Sequence, residues 1–121
     1  MNDLNILIEQ LEDLTRDGSP NSIFAAANRR SILDYEADRL EQIAKATRSI
    51  AFIAARKEKI SVTEAEHLSR IDKKYTEKKM EALKAKLKSE QAKAGHNELI
   101  LRRDTIKTCI SSIQSSMRLN S

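Results

Sequence analysis

The chain has no tryptophan, and its 121 residues include two tyrosines, two phenylalanines, two glycines, one proline and one cysteine. Each shortage excludes something. A β-sandwich or barrel needs frequent turn residues and alternating runs rich in aromatic and β-branched side chains, and neither is present. A lone Cys109 has no partner for an intramolecular disulfide. No apolar run reaches the roughly 18 residues of a membrane-spanning helix. The patch SIAFIAA (Ser49–Ala55) is too short and is flanked by charges. No secretory hydrophobic segment is seen, so the expectation is a soluble, cytoplasmic protein with no membrane partner.

What is present suits long helices: alanine, leucine, isoleucine, lysine, glutamate, arginine and glutamine dominate. The length is that of one domain, residues 1–121. Hydrophobic residues make up 40%, enough to argue against disorder but modest for a self-contained core. Elongated helices bury little surface per residue, so assembly into a homo-oligomer is the expected remedy. The net charge is +4 with a pI near 9.3. It is unevenly spread: residues 1–20 carry one arginine against five acids, and residues 73–93 carry eight lysines against three acids. An acidic head and a basic body suit nucleic acid or an acidic protein surface.

The first helix is predicted over residues 3–16. Asn2 or Asp3 is its cap, and Leu4, Leu7, Ile8, Leu11 and Leu14 share one face. DGSP (Asp17–Pro20) ends it. A second helix, residues 22–59, carries Leu33, Ala37, Leu40, Ala44, Thr47, Ala51 and Ala54 at alternating spacings of four and three, with Ile43 and Ile50 widening the stripe. This is a coiled-coil seam whose small residues allow close approach. Residues 60–71 read as a connector with a brief helical turn, because Ser61-x-x-Glu64 and Thr63-x-x-Glu66 are both capping-box spacings.

The last helix, residues 72–119, starts at the cap Asp72. It shows two apolar rows out of phase: Thr76, Met80, Leu83, Leu87, then Leu99, Ile106, Ile110, Ile113, Met117. Gly95 lies between them, and a stutter or bend is expected there. The fold class is therefore all-α, a long antiparallel helical hairpin of coiled-coil type with a short N-terminal helix. The expected subunit interface comprises Leu4, Leu7, Ile8 and Leu11 with Leu99, Ile106, Ile110, Ile113 and Met117.

No constellation encodes a reaction. EAEH (Glu64–His67) lacks the second histidine four residues away that a helical zinc site needs. His67 and His96 read as structural or solvated, and Cys109 as a buried, inert thiol on an apolar stripe. Asp34, Glu36, Asp38 and Glu41, mixed with Arg39 and Lys45, read as a solvated ion-pair face. No catalytic residue, metal ligand or cofactor site is assigned, and the expectation is a non-enzyme.

The basic residues are more informative. Arg56, Lys57 and Lys59 leave the second helix as Arg70, Lys73 and Lys74 enter the third, and Lys78 and Lys79 extend the charge. A hairpin is expected to gather both triplets at one end. With only Tyr75 nearby to stack on a base, binding to single-stranded DNA would be mainly electrostatic and insensitive to sequence. VTEAEHLSRIDKKY (Val62–Tyr75), with Val62, Glu66, Ser69 and Tyr75, and the tail ELILRRDTIKTCISSIQSSMR (Glu98–Arg118), with Leu99, Arg103 and Ser112, resemble small helical phage proteins of recombination gene sets, distant relatives of UvsY-type recombination mediators. The resemblance covers roughly residues 33–119. It implies an oligomeric single-stranded-DNA-binding accessory that helps load a recombinase onto strands covered by a single-strand-binding protein, with Arg56, Lys57 and Lys59 on the DNA face. The alternatives are a coiled-coil adaptor or export-type chaperone that binds a partner's amphipathic helix through its own seam, or a structural rod.

Overall fold

The computed structural model describes residues 2–120, with side chains from Asp3 onward, so the capping expectation at Asn2 falls outside the described side chains. Four helices and no strand occur among the described residues: α1 (Asn2–Thr15), α2 (Ile23–Lys57), α3 (Val62–Ile71) and α4 (Lys73–Leu119). The contacts divide into two compact units. One comprises the residues up to Ser31 with those from Gln91 on, and the other Ile32–Glu90.

In the first unit α1 gives way to a tight turn at Gly18, whose φ of 84° is a conformation glycine adopts without a Cβ penalty. Ser22, almost wholly buried, then caps α2: its hydroxyl accepts from the Ala25 amide at 3.0 Å. Leu14 on α1 and Ile106 on α4 are both 5% exposed. They line one open groove of about 550 Å³ with Gln10, Asp13, Leu101 and Arg102, so α1 lies along residues 98–106 of α4. His96 faces Arg30 across this unit at 3.3 Å.

The second unit is a hairpin. The Ser89 hydroxyl donates to the Asp34 carboxylate, and the Arg48 guanidinium lies 6.0 Å from the centre of the Tyr75 ring. Asp34 and Arg48 are 14 residues apart on α2, and Tyr75 and Ser89 are 14 apart on α4. Two heptads on each helix fix an antiparallel register. On α2 the seam is as read from the sequence: Leu33, Ala37, Leu40, Thr47 and Ala51 are half-buried and Ala44 is 2% exposed. Its last member is Ala55, buried, rather than the exposed Ala54.

On α4 the seam differs from the expected one. The protected positions of the hairpin are Tyr75, Lys78, Ala82, Ala85 and Ser89, whereas Met80, Leu83 and Leu87 are each about half exposed. Beyond residue 90 the same heptad phase continues through Ala92, His96, Leu99, Arg103, Ile106, Ile110 and Ile113. The protected positions of α4 therefore follow one heptad count rather than two rows out of phase, with small and polar residues in the first half. Gly95 falls at an exposed position inside a continuous helix, and nothing lies within 4 Å of where a Cβ would stand. Gly95→Ala is accordingly expected to stabilise the protein by about 1 kcal/mol, read as a raised urea midpoint with an unchanged m-value. A lowered midpoint would show that the chain needs the glycine there.

The connector is a ten-residue helix rather than a brief turn. Lys59, at φ 63°, takes the left-handed conformation that stops α2. Ser61 accepts from the Glu64 amide at 3.3 Å and starts α3, so of the two candidate caps Ser61, not Thr63, is the one used. Asp72 closes α3 and caps α4, accepting from the Tyr75 amide at 3.0 Å.

Candidate nucleic-acid interface

α3 positions the basic residues because it folds back along α2. Ala65 and Ser69 are buried, and Arg48 donates from Nε to the Ser69 hydroxyl at 3.4 Å while its guanidinium faces Tyr75. The Ser69 hydroxyl in turn donates to the Glu66 carbonyl at 2.7 Å. One half-buried arginine thus ties α2 to both α3 and α4. Arg48 carried no signal in the sequence, since it sits beside the seam rather than among the basic triplets.

The two triplets lie toward the same end of the hairpin but are offset along it. Tyr75 is level with Arg48, so Lys73 and Lys74 lie near the level of Ser49 and Ile50. Arg56 and Lys57 are then farther along α2 by about 10 Å at 1.5 Å per residue. The basic residues therefore form two groups offset by that distance, because α3 returns the chain before α4 begins. Arg70, at the end of α3, belongs with Lys73 and Lys74.

All six of these side chains are exposed, and no ion pair to any of them occurs among the described residues. Arg56 donates to the Ile60 carbonyl at 2.7 Å, which holds its guanidinium over the α2 terminus. Lys79 is exposed as well, but Lys78 is half-buried in the seam and lies 3.6 Å from Glu81. Lys78 is therefore the least available of the eight assigned cations. Between α2 and α3 runs an open groove of about 650 Å³ lined by Lys45, Arg48, Phe52, Ile53, Glu66 and Ser69.

The expected subunit interface is partly consumed by the chain itself. Ile106 is buried, and Leu4, Leu7, Leu11, Leu99, Ile110 and Ile113 are half-buried within their own unit. Ile8 and Met117 stay open at 36% and 41% exposure. Ile106 has too little free surface to meet a second subunit. Cys109 is exposed rather than buried, because it stands one heptad position before the seam residue Ile110.

Of the α2 acids expected on a solvated face, Asp34 instead accepts from the Ser89 hydroxyl across the hairpin. Glu36 pairs with Arg39 at 2.6 Å and Glu41 with Lys45 at 3.8 Å. The hydrogen bond from Arg39 holds the Glu36 carboxyl below its ordinary range and the Arg39 guanidinium above its own. The support this lends α2 is present above the ordinary carboxylate range and fades as pH falls through the lowered Glu36 value. Among the described residues no cluster of three histidine, cysteine or acidic side chains is arranged to hold a metal, and no helix is long and apolar enough to cross a membrane. No family model, curated protein or solved structure matches this chain.

Proposed function

We propose that the chain is a non-enzymatic, sequence-nonspecific single-stranded-DNA-binding accessory of DNA recombination, related to the UvsY-type mediators and acting as a homo-oligomer beside a recombinase or a single-strand-binding protein. The observation that supports this most is the run of exposed cations, Arg56, Lys57, Lys59, Arg70, Lys73 and Lys74, none engaged in an ion pair among the described residues. These cations flank the chain reversal between α2 and α4. With a single tyrosine nearby, itself engaged with Arg48, the contacts fall on phosphates rather than bases. Each subunit makes few such contacts, so assembly supplies affinity through effective concentration.

The discriminating experiment reverses Arg56, Lys57, Lys73 and Lys74 to glutamate. Lost retention of labelled single-stranded DNA with unchanged oligomer size supports the reading. Unchanged retention favours the adaptor alternative, in which the lysines serve solubility alone.

A further inference from the structure

The hairpin buries the wrong-sized residues for a chain that stands alone. Its seam on α4 holds Ala82, Ala85 and Ser89, while Met80, Leu83 and Leu87 point away from α2 at 53%, 50% and 56% exposure. In the heptad phase set by Tyr75, Ala82 and Ser89, these three side chains occupy outer positions at spacings of three and four. That spacing forms a strip which one helix can cover with knobs-into-holes packing. Lone exposed aliphatics need no explanation, but three in register on a rigid helix do.

The charge beside the strip identifies the occupant. Lys79 and Lys86 line one edge and Lys84 the other, all exposed. The neighbouring acids are Glu77 and Glu90, toward the two ends. A second copy pairing strip to strip would set these lysines against each other, an arrangement that costs rather than gains. We propose that the outer face of α4 around Met80, Leu83 and Leu87 is a docking site for an acidic amphipathic helix of a partner protein. The partner's apolar residues cover the strip, and its carboxylates flank them to meet Lys79, Lys84 and Lys86. The site goes beyond the DNA-binding reading and does not depend on it, since the strip shares only Lys79 with the assigned cations.

The test uses two synthetic helical peptides with leucines at spacings of three and four, one flanked by glutamates and its twin by lysines, titrated into the whole protein by calorimetry. The acidic peptide is expected to bind saturably and its twin not at all. Leu83→Ser with Leu87→Ser is expected to weaken binding at least about ten-fold. Both positions face solvent, and circular dichroism should show unchanged helix content and melting. Lys79→Glu with Lys86→Glu should lose the acidic peptide and gain its lysine-flanked twin, a swap that misfolding cannot produce. Equal binding of both peptides, or wild-type affinity in the serine variant, would overturn the proposal. So would two other results: a fall in mass to the monomer on Leu83→Ser, which assigns the strip to a second copy, or binding to phosphatidylserine vesicles with neither peptide bound, which assigns it to a lipid surface.

Discussion

Ala44→Leu is expected to destabilise the protein by about 3 kcal/mol, the upper part of the usual range for overpacking a closed site. Ala44 is 2% exposed on α2, and across the register from it α4 presents Lys78 and Ala82. A seam built from Ala37, Ala44 and Ala51 on one helix and Ala82, Ala85 and Ser89 on the other leaves no room for an isobutyl group unless the backbones separate. Separation would also pull Arg48 from Tyr75 and Ser89 from Asp34, so the cost spreads beyond one side chain. For a chain of this length the loss corresponds to a fall in Tm of roughly 10–15 °C. Ala46→Leu, at an exposed position two residues on, is the control and should stay within about 0.5 kcal/mol of the parent. Equal melting of the two variants would mean that α2 and α4 are not closely packed at this point.

The second large effect is on DNA binding. Under the DNA-binding proposal, reversing Arg56, Lys57, Lys73 and Lys74 is expected to remove up to four phosphate contacts. At physiological salt each contact to a single strand contributes roughly 0.8 kcal/mol through counterion release. Four together amount to about 3 kcal/mol, or at least about a hundred-fold in affinity, before repulsion from the new carboxylates is added. Because the clusters are separated along the hairpin, reversing only Arg56 and Lys57, or only Lys73 and Lys74, should each cost about ten-fold. A full loss from either pair alone would mean that one cluster carries the binding, with the other solvated. All four side chains are exposed; losing the Arg56–Ile60 hydrogen bond at the α2 terminus should cost about 1 kcal/mol, so helix content should hold and the melting temperature fall by only a few degrees.

The sequence makes some of this architecture plain and conceals the rest for a physical reason. On α2 the leucines Leu33 and Leu40 share the buried face with the alanines, so size and burial point the same way and the seam is visible. In the first half of α4 they point in opposite directions. Met80, Leu83 and Leu87 draw attention as the periodic apolar row, yet close approach of the helices selects the alanines and Ser89 and turns the large residues outward. That inversion also created the illusion of a phase change at Gly95. The second half of α4 is legible again, because Leu99, Ile106, Ile110 and Ile113 are both large and protected.

For the candidate site, the basic residues were readable one by one but their grouping was not. The spacing of the two clusters depends on where α4 begins relative to α2. That in turn depends on α3 being a full helix docked through Arg48, Ala65 and Ser69. Capping boxes announce where α3 starts. Nothing local announces that a single arginine outside the triplets will hold it in place. Short caps are local and legible; a contact between residues 21 positions apart is not.

The central claim is that exposed cations of the hairpin bind the phosphates of single-stranded DNA, and the salt dependence of that binding tests it most directly. Four to six phosphate contacts predict that log K falls with log salt concentration at a slope of roughly −3 to −4, measured by anisotropy of a labelled oligonucleotide. The slope should be the same for oligonucleotides of unrelated sequence. It should shrink by about 0.7 for each contacting cation replaced by a neutral residue. A slope near zero, or no binding even at low salt, would contradict the account.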